Sequence, residues 1–201
     1  MFRDNLRKII QRQDLSDDQM AAMIDEIFAG TLSDALITAF MAALDTKGET
    51  FEELAGAARA MRRRAGRIQA AATAVVDTCG TGGDGAGTFN ISTTTAFVVA
   101  GCGVTVAKHG NRSVSSRCGS ADLVEALGVN LNTPPDLVEE AVGQIGIGFL
   151  FAPLYHSAMR HAAGARRELG IRSIFNMLGP LTNPAGADCQ LLGVFAPQLT
   201  E

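Results

Sequence analysis

The sequence predicts an α/β protein: a small all-α N-terminal domain over 1–72, then a larger α/β domain with a mainly parallel sheet over 73–201. Three observations predict it. Up to about residue 70 the apolar residues recur at helical spacing. From Ala74 onward short β-branched runs alternate with helical segments. The polar loops between them follow the strands, as in a parallel sheet with helices on its faces.

Leu6, Ile9 and Ile10 form the apolar stripe of a first helix. Met20, Met23, Ile24 and Ile27 form that of a second, which Ser16 and Gln19 open as a capping box. A third helix runs from near Ser33 to just before Gly48, and FEELAGAARAMRRR is a fourth. The run VVD then starts a strand, the glycine-rich loop follows, and Ser92 to Gly101 is helical. Val104 to Ala107 is a second strand, leading through KHGNRSVSSRCGS into the helix ADLVEALG. Thr133 is expected to cap a helix with prolines in its first turn, and GFLFA is a third strand. Part of 160–190 is expected to pack on the helical domain.

Hydrophobic residues make up 47% and charged residues 19% of the 201, an ordinary globular composition. The net charge of −4 and pI near 5.4 argue against nucleic acid as a partner. The basic cluster MRRRAGR sits at the end of the fourth helix, where cations suit the negative dipole end. Cys79, Cys102, Cys118 and Cys189 form no C-x-x-C pair, which fits neither a metal nor a disulfide framework. The first residues, MFRDNLRKIIQRQ, are not a signal peptide, and no apolar run is long enough to span a bilayer, so a cytoplasmic setting and no membrane partner are expected.

The chemistry lies in two loops. In DTCGTGGDGAGTFNIST, Gly80, Gly82, Gly83, Gly85 and Gly87 are interleaved with hydroxyls. Glycines let successive N–H groups point inward, and the following helix adds its positive end, so an anion is the expected guest. Gly80, Gly82 and Gly85 spell a dinucleotide-binding pattern. That reading needs an acid about 20 residues further on, and no Asp or Glu lies between Asp84 and Asp122. A Walker A loop would need a lysine before its Ser or Thr, and none is present. What remains is an anion loop with its own acid, Asp84, suited to a phosphate with sugar hydroxyls or to a bridging metal. The second loop offers Lys108, His109, Asn111, Arg112, Ser113, Ser115, Ser116 and Ser120 as a second phosphate clamp. Two phosphate sites suggest a diphosphorylated sugar.

Together with RRELGIRSIFNMLGPLTNP, these segments resemble the anthranilate phosphoribosyltransferases, over essentially the whole chain in order. The resemblance implies a helical domain that forms a homodimer, an α/β domain, and an active site between them. It implies displacement of pyrophosphate from phosphoribosyl pyrophosphate by the amine of anthranilate, in tryptophan biosynthesis, with Mg2+ as cofactor. Carried over by position, the pyrophosphate and ribose contacts fall on Gly80, Gly83, Asp84, Thr88, Asn90, Ile91, Ser92 and Thr93, with Ser92 also touching the metal. Lys108, His109, Gly110, Asn111, Arg112, Ser113, Val114, Ser115, Ser116 and Ser120 close over the substrate. Anthranilate meets Gly80, Asn111 and Arg166, whose guanidinium can pair with a carboxylate in two parallel hydrogen bonds. Positioning and electrostatics dominate such a reaction, and no residue is named as a catalytic base. The rival readings are a non-catalytic module that binds phosphoribosyl pyrophosphate or dimerises, and a pyrimidine nucleoside phosphorylase.

Two departures from the family stand out. His156, Ser157, Ala158 and Met159 replace a common His-Pro-Ala-Met, which is expected to shift the start of a helix slightly. The family also continues past LLGVFAPQLTE, and its C-terminal part, with a metal-binding acidic pair, is absent from this chain. If 201 residues are the whole polypeptide, the strand QLLGVF lacks cover and exposed edges invite association. Poor solubility or abnormal assembly, with trace transferase activity at most, is then expected. Monomeric material with normal turnover in an anthranilate assay overturns that expectation.

Overall fold

The computed structural model describes residues 1–70, 73–81, 88–113 and 118–194. They form two compact units, Met1–Ala65 with His156–Thr182, and Gly66–Tyr155 with Asn183–Glu201.

The helical unit opens with α1 (Phe2–Ile10), α2 (Asp17–Phe28), α3 (Asp34–Lys47) and α4 (Phe51–Arg64). Local chemistry fixes these bounds. Ser16 Oγ accepts from the Gln19 amide at 3.3 Å while Gln19 Oε1 accepts from the Ser16 amide at 3.1 Å. Thr50 and Glu53 make the same reciprocal cap on α4. Met20, Met23, Ile24 and Ile27 are fully buried, as their spacing requires, whereas Ile10 is 63% exposed in the last turn of α1 and leaves the predicted stripe. Three arginines of the basic cluster are engaged within the unit: Arg63 and Arg64 pair with Asp25, and Arg62 donates to the Leu181 carbonyl.

Glu53 is the buried polar centre of this unit. Fully out of water, it accepts from the Leu15 amide (2.9 Å), the Thr50 amide (2.9 Å) and Lys47 Nζ (3.0 Å). Burial works against the Lys47 charge, but hydrogen bonds to Asp14 and Glu53 outweigh it and hold the ammonium above its usual range.

The α/β unit follows as β1 (Val76–Gly80), α5 (Ile91–Gly101), β2 (Val106–Gly110), α6 (Ser120–Ala126), α7 (Pro135–Ile145), β3 (Ile147–Phe151) and α8 (Ala152–Tyr155). The chain then re-enters the helical unit for a 3-10 turn at Ser157–Met159, α9 (Arg160–Leu169) and α10 (Ile174–Leu178), and returns for β4 (Cys189–Gly193). Ala162, Ala165, Ile174, Phe175 and Leu178 join the core of the first four helices. The sheet is parallel, ordered β3-β2-β1-β4.

Two expected boundaries move. The second strand covers Val106–Gly110 rather than 104–107, so Lys108 and His109 are strand residues. The sheet buries β2 on both faces, and that tertiary setting overrides the low strand propensity of its polar residues. Thr133 does not cap α7: Pro134 stands at the cap position with Pro135 first in the helix, while the Thr133 hydroxyl donates to the Asn130 carbonyl. A residue before proline is driven to extended geometry, so consecutive prolines push the helix start onward.

Glu53→Ala is expected to cost about 3 kcal/mol, because it leaves buried donors without their acceptor. A urea titration showing a loss well under about 1 kcal/mol, the value of a surface pair, would make the network dispensable.

Candidate active site

With β2 and β3 on one side of β1 and β4 on the other, the strand order reverses at β1. Ligands of open parallel sheets sit beyond the carboxyl ends of the strands at such a point. The glycine-rich segment leaves β1 at this end. Gly83 and Asp84 fall outside the described residues, as do Val114, Ser115 and Ser116.

The described flanks of the first loop converge on the start of α5. Thr88 and Asn90 lead into it, and Ile91, Ser92 and Thr93 form its first turn. The Thr78 hydroxyl donates to the Ser92 carbonyl at 2.8 Å, fixing the helix to β1. Asn90 Nδ2 reaches the Gly119 carbonyl at 3.4 Å, which ties the end of the first loop to the end of the second. The hydroxyls of Thr81 and Thr93 are buried without a hydrogen-bond partner among the described residues. Buried polar atoms left in this way mark a place where a polar guest is expected.

Lys108 is 3% exposed. Its ammonium donates to the Thr78 carbonyl and to Ser92 Oγ (3.3 Å), so a buried cation stands at the first turn of α5. Burial lowers its pKa, and the neighbouring Asp77 and Cys79 work in the opposite direction. A helix start and an ammonium are both positive, and their convergence favours an anion with several oxygens. Burial, with help from Asp77, pushes the Cys79 thiol up to about 12, so it is no nucleophile. His109 is buried, not an exposed surface imidazole, and its amide donates to Asp77 Oδ1 at 3.2 Å.

The second loop is held at its stem by Asp122, a residue that the motif reading did not single out. Asp122 Oδ2 accepts from the amides of Ser113 (3.1 Å) and Gly119 (2.8 Å), joining the two ends of the loop. The approach is close: a Cβ on Gly119 would lie 2.3 Å from the Ser113 nitrogen. Ser120 Oγ donates to the Asn111 carbonyl at 3.2 Å, and a Cβ on Gly110 would lie 2.2 Å from that hydroxyl. The signal available in the sequence is an acid three residues after Gly119, in the first turn of α6.

Arg112 is committed to carboxylates. It meets both oxygens of Glu125 (2.7 and 2.9 Å) and Asp122 Oδ1 (2.9 Å), and these bonds, Glu125 first, raise its pKa.

Arg166 lies in α9 of the helical unit, while Gly80 and Asn111 belong to the α/β unit. Its guanidinium stands 5.7 Å from the centre of the Phe175 ring, and burial lowers its pKa. Among the described residues no carboxylate pairs with it, so its donors are available to a planar anion.

Among the described residues no three His, Cys, Asp or Glu side chains gather to hold a metal. Ser92 Oγ, already accepting from Lys108, offers one hydroxyl oxygen. Magnesium keeps several waters and takes one or two carboxylates together with substrate phosphates, and this hydroxyl by itself does not make such a site.

Asp122→Ala is expected to speed amide exchange at Ser113 and Gly119 by about tenfold, the loss of a charge-assisted bond at each. Amides of the helical unit should not change, and NMR reads both. Hydrogen bonds from Gly119 and Ser113 hold the Asp122 carboxyl below its usual range. Its contribution is therefore fully present above the ordinary carboxylate range and is lost only as pH falls through the lowered value. Protection of the two amides, relative to intrinsic rates, should accordingly survive mild acid.

Comparison with known proteins covers almost all of the chain. Residues 3–65 match the helical bundle domain of a glycosyl transferase family, and residues 72–201 match its a/b domain. The chain is similar to the anthranilate phosphoribosyltransferase of Syntrophobacter fumaroxidans, with 73% identity over all 201 residues and 60% of that protein. Among solved structures it resembles the anthranilate phosphoribosyltransferase of Thermus thermophilus, with a TM-score of 0.90 and 49% identity over 96% of this chain and 59% of that one. It also resembles the Saccharomyces cerevisiae enzyme in complex with PRPP and Mg, with a TM-score of 0.89 and 29% identity over 98% of this chain and 59% of that one. The chain thus spans about 60% of the length of the relatives it matches. With both of its domains matched in order, this chain belongs to that glycosyl transferase family.

Proposed function

We propose that the chain carries the phosphoribosyl-binding part of an anthranilate phosphoribosyltransferase. The amine of anthranilate attacks the anomeric carbon of phosphoribosyl pyrophosphate, pyrophosphate leaves with the bonding electron pair, and the amine gives up a proton. The observation that carries this reading is the buried Lys108 ammonium beside Ser92 in the first turn of α5, with the unpartnered Thr81 and Thr93 hydroxyls near the same loop. Similarity to the yeast enzyme solved with PRPP and Mg supports the choice of guest.

In this reading Gly80, Gly83, Asp84, Thr88 and Asn90 to Thr93 hold pyrophosphate and ribose, and Lys108 to Ser116 with Ser120 close over them. Arg166, stacked on Phe175 and without a carboxylate partner among the described residues, holds the anthranilate carboxylate. An aromatic amine is neutral at pH 7, so holding it in line behind the anomeric carbon is the protein's main task. Fixed dipoles at the start of α5 and the Lys108 charge stabilise the departing oxyanion. Magnesium, when bound against Ser92 and the phosphates, supplies further neutralisation of that charge.

A homodimer formed through the helical unit and a cytoplasmic setting complete the reading. The four free cysteines fit a reducing compartment.

Calorimetric titration with phosphoribosyl pyrophosphate and magnesium should show binding that Asp84→Asn abolishes or weakens severely. An unchanged isotherm for that variant would misplace the ligand. Arg166→Lys should raise the KM for anthranilate by about tenfold or more, since a point charge replaces a two-pronged donor, and leave the KM for phosphoribosyl pyrophosphate near its native value. Equal changes in both constants would remove Arg166 from the carboxylate.

A further inference from the structure

The sheet is interrupted beside its active end. β2 pairs with β3, and β1 with β4, along five residues each, but β1 and β2 pair only at Val76 and Val106. In a parallel ladder the next rung, two residues on, would join Thr78 with Lys108: the Thr78 amide would donate to the Ala107 carbonyl, and the His109 amide to the Thr78 carbonyl. Side chains have claimed three groups of that rung. The Ala107 carbonyl accepts from Asn183 Nδ2 at 2.8 Å. The His109 amide donates to Asp77 Oδ1 at 3.2 Å. The Thr78 carbonyl accepts from Lys108 Nζ.

Both capturing groups are held in place. Asp77 is fully buried, and its second oxygen lies 3.4 Å from Gln190 Nε2. Asn183 Oδ1 accepts from the Ala185 amide at 2.8 Å, which aims its Nδ2 at the strand. None of this was legible from the glycine loop or the basic loop, since Asp77 and Asn183 lie outside the carried-over contacts.

We propose that Asp77, with Asn183 as its companion, is a positioning residue for substrate binding. By taking the His109 amide it reserves the Thr78 carbonyl for the Lys108 ammonium, and so sets that charge beside Ser92 in the first turn of α5. The identity of the guest rests on the phosphoribosyltransferase reading; the placement of the ammonium does not. Without an acceptor at position 77 the His109 amide turns to the Thr78 carbonyl and closes the rung. The ammonium then loses an oxygen in a site where water cannot replace it.

Acylation of lysines by an N-hydroxysuccinimide ester, read by mass spectrometry without any ligand, tests this directly. The chain contains Lys8, Lys47 and Lys108; the Lys47 side chain, 4% exposed in the helical unit, is an internal control. Asp77→Ala is expected to raise Lys108 acylation by about tenfold, the loss of one charge-assisted bond, with Lys47 unchanged. Asp77→Asn keeps an oxygen for the His109 amide and should keep Lys108 protected. The proposal is overturned if Asp77→Ala leaves Lys108 as slow as in the native chain, or if Lys47 rises in step with it, which signals general loosening. It is equally overturned if Asp77→Asn, which removes only the charge, raises Lys108 acylation by about tenfold or more while Lys47 stays protected, a result that serves even if the alanine variant does not fold. Titration of the native chain with phosphoribosyl pyrophosphate reports on the substrate reading separately, because failure there leaves the acylation pattern intact.

Discussion

The structure turns on an ammonium ion held almost out of water. Removing a charge from solvent is costly unless fixed oxygens replace the lost hydration. For Lys108 those oxygens are the Thr78 carbonyl on β1 and the Ser92 hydroxyl on α5. One side chain on β2 therefore binds three elements together, with Asp77 close enough to influence its titration. The architecture around it fits that demand. β2 is central and buried, the loops leave at the carboxyl ends of the strands, and α5 begins where β1 has just ended.

The two loops rest on supports of different kinds. The glycine-rich one is anchored where it enters α5 by the Thr78–Ser92 bond. The basic one is drawn together at its stem by Asp122, and its arginine is parked on Glu125. An anion entering this region meets Lys108 already in place and Arg112 engaged elsewhere. The two cations thus differ in setting: the first is fixed by neutral oxygens, while the second is held by carboxylates.

Much of the fold was legible because its signals are local. α4 runs over the segment FEELAGAARAMRRR itself, since Thr50 and Glu53 cap it from within four residues. The loops declared themselves through residue types that few other settings require. β2 was misplaced by two residues because Lys108 and His109 read as loop when their burial is unknown. The roles of Asp77 and Asn183 were not legible at all, while Asp122 showed only as an acid in the first turn of α6. Their long-range partners lie 9 to 76 positions away in the chain, and no local pattern encodes such proximity.

The helical unit is discontinuous: its first four helices precede the α/β unit, and its last two come after Tyr155. On a ribosome the early helices emerge with part of their apolar surface bare, since Ala162, Ala165, Ile174, Phe175 and Leu178 are still unmade. At ordinary elongation rates that interval is on the order of ten seconds. Nascent chains of this protein therefore offer chaperones a defined window, closed only when α9 and α10 arrive to finish a core begun more than a hundred residues earlier.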